Sequence, residues 1–318
     1  MKKMFIIFLF SFNSVFAQDY VHQVLVLNEG YFNFTTNQTV ISPTIGSYNP
    51  ITQSYSVIDT LVGARFASDL IVSGDYFYVA ADNMLYKYDK NSMSLLCSQQ
   101  VSGIRNLAVW NDKIIVTRGD YDNITFSPIL FDSYLQVFNT SDLSFYMQLD
   151  TVSGPKWSTQ NLIVNNNTLY VTVNNAFEWG NEQGVIGIVD LSTMSYLNEI
   201  DLGVDGKNPD NMFFDGAHLY TVNNKDWSGS SISKIDLGTS SSYTVNISQV
   251  STGCGTSCFR DGKINYQISG DTLLYEWDPI FMPSSGMVLG LNTNFYELAV
   301  DNVNNYLYTS NTDLVQLA

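Results

Sequence analysis

The sequence predicts an all-β chain, a seven-bladed β-propeller of four-stranded antiparallel blades, with six or eight blades as alternatives. Two repeated motifs and the composition predict it. An aromatic or branched residue followed by Asp or Asn recurs as Tyr48-Asn49, Tyr88-Asp89, Phe138-Asn139, Val189-Asp190, Ile235-Asp236 and Trp277-Asp278, at spacings of 40, 50, 51, 46 and 42 residues. Upstream of it, Phe77-Tyr78-Val79, Leu169-Tyr170-Val171-Thr172, Leu219-Tyr220-Thr221 and Leu307-Tyr308-Thr309 fall on the same period. A unit of about 45 residues is the length of one propeller blade. Finally, 14% aromatic residues with abundant Asn, Ser, Thr and Gly suit strands and turns rather than helices.

Each unit reads as strands A to D. Strand A is a short apolar run: Leu70-Ile71-Val72, Leu107-Ala108-Val109, Leu162-Ile163-Val164, Met212-Phe213-Phe214 and Leu298-Ala299-Val300. Strand B is the Tyr-centred run. Strands C and D form a hairpin around the Asp or Asn, whose short side chain favours a turn. Strand B occurs at Val24–Leu27 and near Tyr78, Ile115, Tyr170, Tyr220, Tyr266 and Tyr308, hence seven blades. The first unit has no clear A, and the last stops after a C at Leu314–Leu317. A chain shortened by about one hairpin, or Tyr20–Gln23 filling one gap, would account for the ends.

Residues 1–17 read as a signal peptide: Lys2 and Lys3, an apolar stretch from Met4 to Phe12, then Val15-Phe16-Ala17 as the cleavage site. The apolar stretch is too short to span a bilayer. Residues 18–318 read as one propeller domain, secreted, periplasmic or on the cell surface, with no transmembrane segment. The net charge is −16, and the pI near 4.2 argues against nucleic acid and anionic lipid. Cys254 and Cys258 could close a small disulfide loop, and Cys97 reads as a small buried residue. The two histidines, His22 and His218, have no cysteine partners at zinc spacing.

Leu169-Tyr170-Val171-Thr172-Val173-Asn174-Asn175 resembles the repeat of YVTN-type β-propellers. Leu25-Val26-Leu27-Asn28-Glu29-Gly30 resembles the opening of secreted surface propellers of Bacteroidota-type bacteria. The resemblance spans nearly the whole mature chain. It implies a surface-associated binding protein. Some such proteins capture corrinoids for an outer-membrane transporter, and related propellers include lactone hydrolases. No binding-residue motif carries over.

In a propeller, the B–C loops and D–A connections share one face, and the A–B and C–D turns share the other. The long, aromatic loops here are B–C loops. Residues 28–46 hold Tyr31, Phe32 and Phe34, and 118–132 hold Arg118, Asp120, Tyr121 and Asp122. Residues 174–184 hold Phe177, Glu178 and Trp179, and 223–229 hold Asp226 and Trp227. Insertions on one face mark a working face. Before each strand A lies a polar pair, Ser68-Asp69, Arg105-Asn106, Gln160-Asn161, Asp210-Asn211 or Tyr296-Glu297, which would ring the channel mouth. The expected ligand-binding residues are Tyr31, Phe32, Arg65, Arg105, Arg118, Tyr121, Trp157, Phe177, Trp179, Asp226, Trp227 and Tyr296. The expected ligand is a small molecule, glycan or envelope protein. Asp120-Tyr121-Asp122-Asn123 resembles half a calcium loop but lacks its glycine and distal Glu, which leaves Asp120 and Asp122 as weak candidates for calcium. The chain has no Gly-X-Ser-X-Gly elbow, and neither histidine lies on the long-loop face. A binding protein is therefore expected ahead of the alternative, a lactone or glycoside hydrolase with metal or carboxylates at the channel mouth.

Overall fold

The computed structural model describes residues 23–175, 178, 180–225, 229–248, 250, 256–268, 271–281, 287–289, 298–301 and 306–309. Every regular element in them is a strand. The first sheet contains β1 (Val24–Asn28), and a small hairpin follows, β2 (Tyr31–Asn33) with β3 (Gln38–Ile41). β4 (Thr44–Asn49) and β5 (Ser54–Thr60) complete that sheet in the order β1-β4-β5. Five four-stranded sheets follow in sequence order. They are β6 (Ala67–Ser73), β7 (Tyr76–Ala81), β8 (Met84–Asp89) and β9 (Leu95–Gln100); then β10 (Ile104–Trp110), β11 (Lys113–Arg118), β12 (Ser133–Asn139) and β13 (Phe145–Asp150). Next are β14 (Thr159–Asn165), β15 (Thr168–Asn174), β16 (Gly184–Asp190) and β17 (Ser195–Asp201); then β18 (Pro209–Phe214), β19 (His218–Asn223), β20 (Ser230–Asp236) and β21 (Ser241–Ile247). The fifth comprises β22 (Ser257–Arg260), β23 (Lys263–Gln267), β24 (Leu274–Trp277) and β25 (Met287–Leu289). β26 (Leu298–Asp301) and β27 (Tyr306–Thr309) form a two-stranded sheet.

All pairings are antiparallel, and within the five four-stranded blades they join chain neighbours, as in a propeller. Among the described residues there are six blades of three or four strands. Where a seventh was expected there is the β26–β27 pair, and the C and D positions of that unit fall outside the described residues. In the first sheet β1 pairs with the C strand β4, so it occupies the B position, and no A strand of that sheet lies among the described residues. The A strand β22 escaped the sequence reading because Ser257-Cys258-Phe259-Arg260 is short and only half apolar.

The Asx motif forms the turn it predicts. Asn49 Oδ1 accepts from the amides of Ile51 and Thr52, Asp89 from Asn91 and Ser92, Asp236 from Gly238 and Thr239, and Asp278 from Ile280 and Phe281. Four residues after the Asx, the chain turns through a left-handed residue at Gln53, Met93, Leu143, Met194 and Ser240. That kink tips Met93, Leu143 and Met194 back onto blade cores, which accounts for bulky side chains at a positive φ. Asn49→Ala should cost about 1 kcal/mol or less by losing two solvent-exposed amide contacts, a small drop in urea midpoint with an unchanged slope.

The second to sixth blades bury both faces against their neighbours. Leu169, Val171 and Val173 lie in one cluster with Ile115, Leu135 and Val137 of the preceding blade. Tyr170 points the other way, half-buried, toward Ile186, Met212 and Leu219. Tyr220, Tyr266 and Trp277 are fully buried in a later cluster, with Tyr220 and Trp277 edge-to-face at 6.2 Å. Cys97 is half-buried beside the second blade's core, and Cys258 is a buried free thiol whose pKa burial pushes up to about 11. Cys254 lies outside the described residues. No helix among those residues is long and apolar enough to cross a membrane. The signal segment and His22 also lie outside them.

Candidate functional site at the channel mouth and loop face

The four polar pairs before strand A that lie among the described residues are structurally equivalent. Each of four consecutive A strands begins with a register break: Ala67/Asp69 in β6, Ile104/Leu107 in β10, Thr159/Leu162 in β14 and Pro209/Asn211 in β18. A bulge adds a residue and re-aims side chains. Threonines of strand B hold two of these bulges: Thr117 Oγ1 accepts from the Asn106 amide at 2.8 Å, and Thr172 Oγ1 donates to the Asn161 carbonyl at 3.2 Å.

The bulged side chains link blade to blade around the channel mouth. Asp69 Oδ2 accepts from the Leu107 amide at 2.7 Å. Arg105 donates through Nε to the Gly119 carbonyl at 2.9 Å and through Nη1 to Gln160 Oε1. Gln160 bonds Asp210, and Asn224 Nδ2 donates to Asp210 Oδ2 at 3.1 Å. Asn211 Nδ2 donates to Ser257 Oγ at 2.8 Å. The result is a polar belt across five blades. Burial raises the pKa of Asp69 to about 6, against the lowering pull of the Leu107 and Leu70 amides and Asn106. Burial also raises the pKa of Asp210, opposed by Asn224, Arg105 and Gln160. Both residues are half-buried. Asn106 Oδ1 is buried with no protein partner. Beside Asp210, Asn211, Asn224 and Ser257 line a cavity of about 10 Å³, room for one water.

Outside the belt, two loops meet over the second blade, whose own B–C turn is short. The segment expected as a loop after β1 is instead the β2–β3 hairpin, because Asn33 Oδ1 closes an Asx turn on the Thr35 and Thr36 amides and Asn37 takes φ 52°. Phe34 at its tip lies 6.2 Å from Tyr121 and 5.9 Å from Phe126, and Phe32 packs edge-on against Phe34 at 5.0 Å. Asn123 Nδ2 donates to Asn37 Oδ1. Phe34, Phe126 and Tyr31 remain exposed.

Arg65 sits at the root of this junction. Its Nε donates to Asp82 Oδ1 at 2.8 Å, Nη1 to Asn123 Oδ1 at 2.7 Å, and Nη2 reaches Asp120 Oδ2 at 3.0 Å. Burial opposes its charge, but the Asp82 hydrogen bond and the nearby Asp120 outweigh it and raise its pKa. Of the carboxylates considered for calcium, Asp120 is therefore paired with Arg65. Asp122 Oδ1 closes a turn on the Ile124 and Thr125 amides. No cluster of three potential metal ligands occurs among the described residues. Trp157 is half-buried against the cluster between the third and fourth blades. Arg118 is nearly fully buried between a loop and a connection on this face.

The structure thus brings Tyr31, Phe32, Arg65, Arg118, Tyr121, Asp120 and Asp122 to one side of the loop face, with Arg105 in the channel belt. Phe177, Trp179, Asp226, Trp227, Tyr296 and Glu297 lie outside the described residues. Sequence reading did not single out Asp82, although an Asp in the shortest B–C turn, beside an Arg in the preceding connection, was a readable signal. His218 begins β19 after the A–B turn, on the opposite face as expected.

No protein-family model and no curated protein sequence matches the chain. Solved structures do. The extracellular domain of a B. thetaiotaomicron protein assigned as a one-component system aligns with a TM-score of 0.61 and 10% identity, covering 84% of this chain and 37% of that one. The chain thus spans little more than a third of that relative. A hypothetical selenium-binding protein from Sulfolobus tokodaii aligns with a TM-score of 0.59 and 11% identity, covering 83% of this chain and 73% of that one. At these identities the likeness establishes the fold.

Proposed function

We propose that this chain is a non-enzymatic recognition propeller of the cell envelope or exterior, of the YVTN type and seven-bladed, which binds a small molecule, glycan or envelope protein on its loop face. The observation that carries the reading is the polar belt. Four successive bulges line up Asp69, which bonds the Leu107 amide of the next blade, and the chain Arg105–Gln160–Asp210 along one arc of the mouth, on the face that also carries the long loops. A rigid scaffold with mixed donors and acceptors at a concave mouth suits specific, reversible binding. The extracellular neighbour is compatible with a binding or sensing role. A scarce nutrient such as a corrinoid, passed to an outer-membrane transporter, is the specific ligand and partner to test first.

Calorimetry of the full chain against corrinoids, haem, siderophores and glycans tests this reading. A bound ligand should lose at least tenfold in affinity on Trp179→Ala or Trp227→Ala, the effect of removing an aromatic anchor, with little change in melting temperature. Binding that is indifferent to both substitutions and to Arg105→Gln would move the site off this face. The alternative hydrolase reading keeps one favourable observation, the pKa of Asp69 raised to about 6. Turnover of a lactone or glycoside that is abolished by Asp69→Asn would establish it in place of the binding reading.

A further inference from the structure

Three of the four arginines of this chain, Arg65, Arg105 and Arg118, lie around residues 118–123 on the loop face. Two of them have carboxylates in reach: Arg65 pairs with Asp82 and Asp120, and Arg105 feels Asp210. Arg118 forms no ion pair among the described residues and feels only Asp132, from beyond ion-pair distance, although acidic groups outnumber basic ones by 30 to 14. Its neighbours are engaged elsewhere. Asp120 is held by Arg65, and Asp132 accepts from Gln148 Nε2 at 3.2 Å.

The guanidinium is nonetheless firmly positioned. Nε donates to the Ser102 carbonyl at 2.9 Å and Nη1 to the Ser133 carbonyl at 2.7 Å, and its carbon lies 4.2 Å from the Phe131 ring centroid. Phe131 itself is seated by Gly103. At φ 68°, Gly103 lets the ring come so close that a Cβ there would stand 2.7 Å from it. Nη2 has no hydrogen bond to the protein, yet it is not among the sealed, unpartnered buried atoms, so it opens toward solvent. Burial lowers the Arg118 pKa and Asp132 opposes this only in part, and a buried cation without a contacting counter-charge is costly unless an anion completes it. Guanidinium with a free edge is the side chain suited to carboxylate and phosphate oxygens.

We propose that Arg118 is the anchor for an oxyanion, a carboxylate or phosphate group, of the ligand that the loop face binds. The proposal rests on the binding reading above and adds the ligand's chemical class. Carbonyls of Ser102 and Ser133 fix two edges of the fork, Phe131 backs its plane, and the remaining edge receives the anion. In so acidic a protein, a seated cation selects an anionic group that the rest of the surface repels.

The test measures melting temperature and calorimetric binding of the full chain against inorganic phosphate and against propionate, at constant ionic strength set with chloride. A saturable rise with either probe is expected. It should disappear in Arg118→Gln and weaken at least tenfold in Arg118→Lys, which keeps the charge but not the fork. Arg260→Gln, on the opposite face, should bind like the parent. A larger response to phosphate assigns a phosphoryl ligand, and a larger response to propionate assigns a carboxylate. Circular dichroism screens the variants for folding. If Arg118→Gln does not fold, Arg118→Lys and Phe131→Leu, which removes the ring behind the fork, carry the test. No saturable response in the parent overturns the anchor, as does a response unchanged in those variants. A neutral ligand that is lost with Trp179→Ala but kept in Arg118→Gln overturns the anchor and leaves the binding reading standing.

Discussion

Arg65→Met is expected to lower the unfolding free energy by about 3–5 kcal/mol, the cost of breaking a buried ion-pair group by removing one partner. The side chains of Arg65, Asp82 and Asp120 are only 13%, 11% and 10% exposed. Without the cation, two carboxylates face one another in that space with no counter-charge. Asn123 also loses its donor from Nη1, and through Asn123 and Asn37 the β2–β3 hairpin loses a tie to the B–C loop of the third blade. The effect should appear in urea melts as a lower midpoint and in hydrogen exchange as faster exchange in β2 and β3. The triple change Arg65→Met, Asp82→Asn and Asp120→Asn should recover most of the loss, because uncharged groups of similar size need no pairing. An unchanged midpoint in Arg65→Met would mean that the cation is not structural. It would then return to the set of residues free to meet a ligand.

Arg65 also marks where sequence reading stopped. The strands were legible because their signals are local. Alternation sets each strand, and an Asp or Asn at the end of strand C binds amides two and three residues on, as Asp89 and Asp236 do. The polar pairs before strand A were legible as equivalent positions for the same reason, since each begins a repeat. What the sequence could not display is pairing across blades. Arg65 and Asp120 are 55 residues apart, as are Arg105 and Gln160. Only ring geometry brings them together. A ligand-facing arginine and a structural one therefore look alike in sequence and separate only when their partners are known. The hairpin after β1 was missed because Tyr31–Asn33 and Gln38–Ile41 are short and largely exposed, and its turn is the same Asx turn used at the C–D corners of Asn49, Asp89, Asp236 and Asp278.

Asp69→Asn is expected to stabilise the protein at pH 7 and leave it nearly unchanged at pH 4. Burial raises the Asp69 pKa from its ordinary value to about 6 in the folded chain. Between about pH 4 and pH 6 the folded state therefore holds a proton that the unfolded state has released, and stability falls as pH rises through that window. The shift corresponds to at most ~3 kcal/mol at 1.36 kcal/mol per pKa unit. Asp210, raised by the same cause, adds to the slope. Asp215 acts in the opposite direction at lower pH. Burial alone would raise its pKa, but the Ala217 and His218 amides, the Tyr220 hydroxyl and the His218 ring hold it at about 2. Its contribution is complete above pH 4 and is lost as pH falls toward 2. The two slopes place maximal stability near pH 4–5, below the usual range. Asparagine at position 69 can still accept from the Leu107 amide through Oδ1, so the inter-blade bond at 2.7 Å survives while the buried charge is gone. Urea melts of parent and variant from pH 3 to 8 separate the terms. The parent's midpoint should decline above pH 4, and the variant's should decline less. Equal declines in both would place the titrating carboxylate elsewhere in the belt, with Asp210→Asn as the next variant to measure.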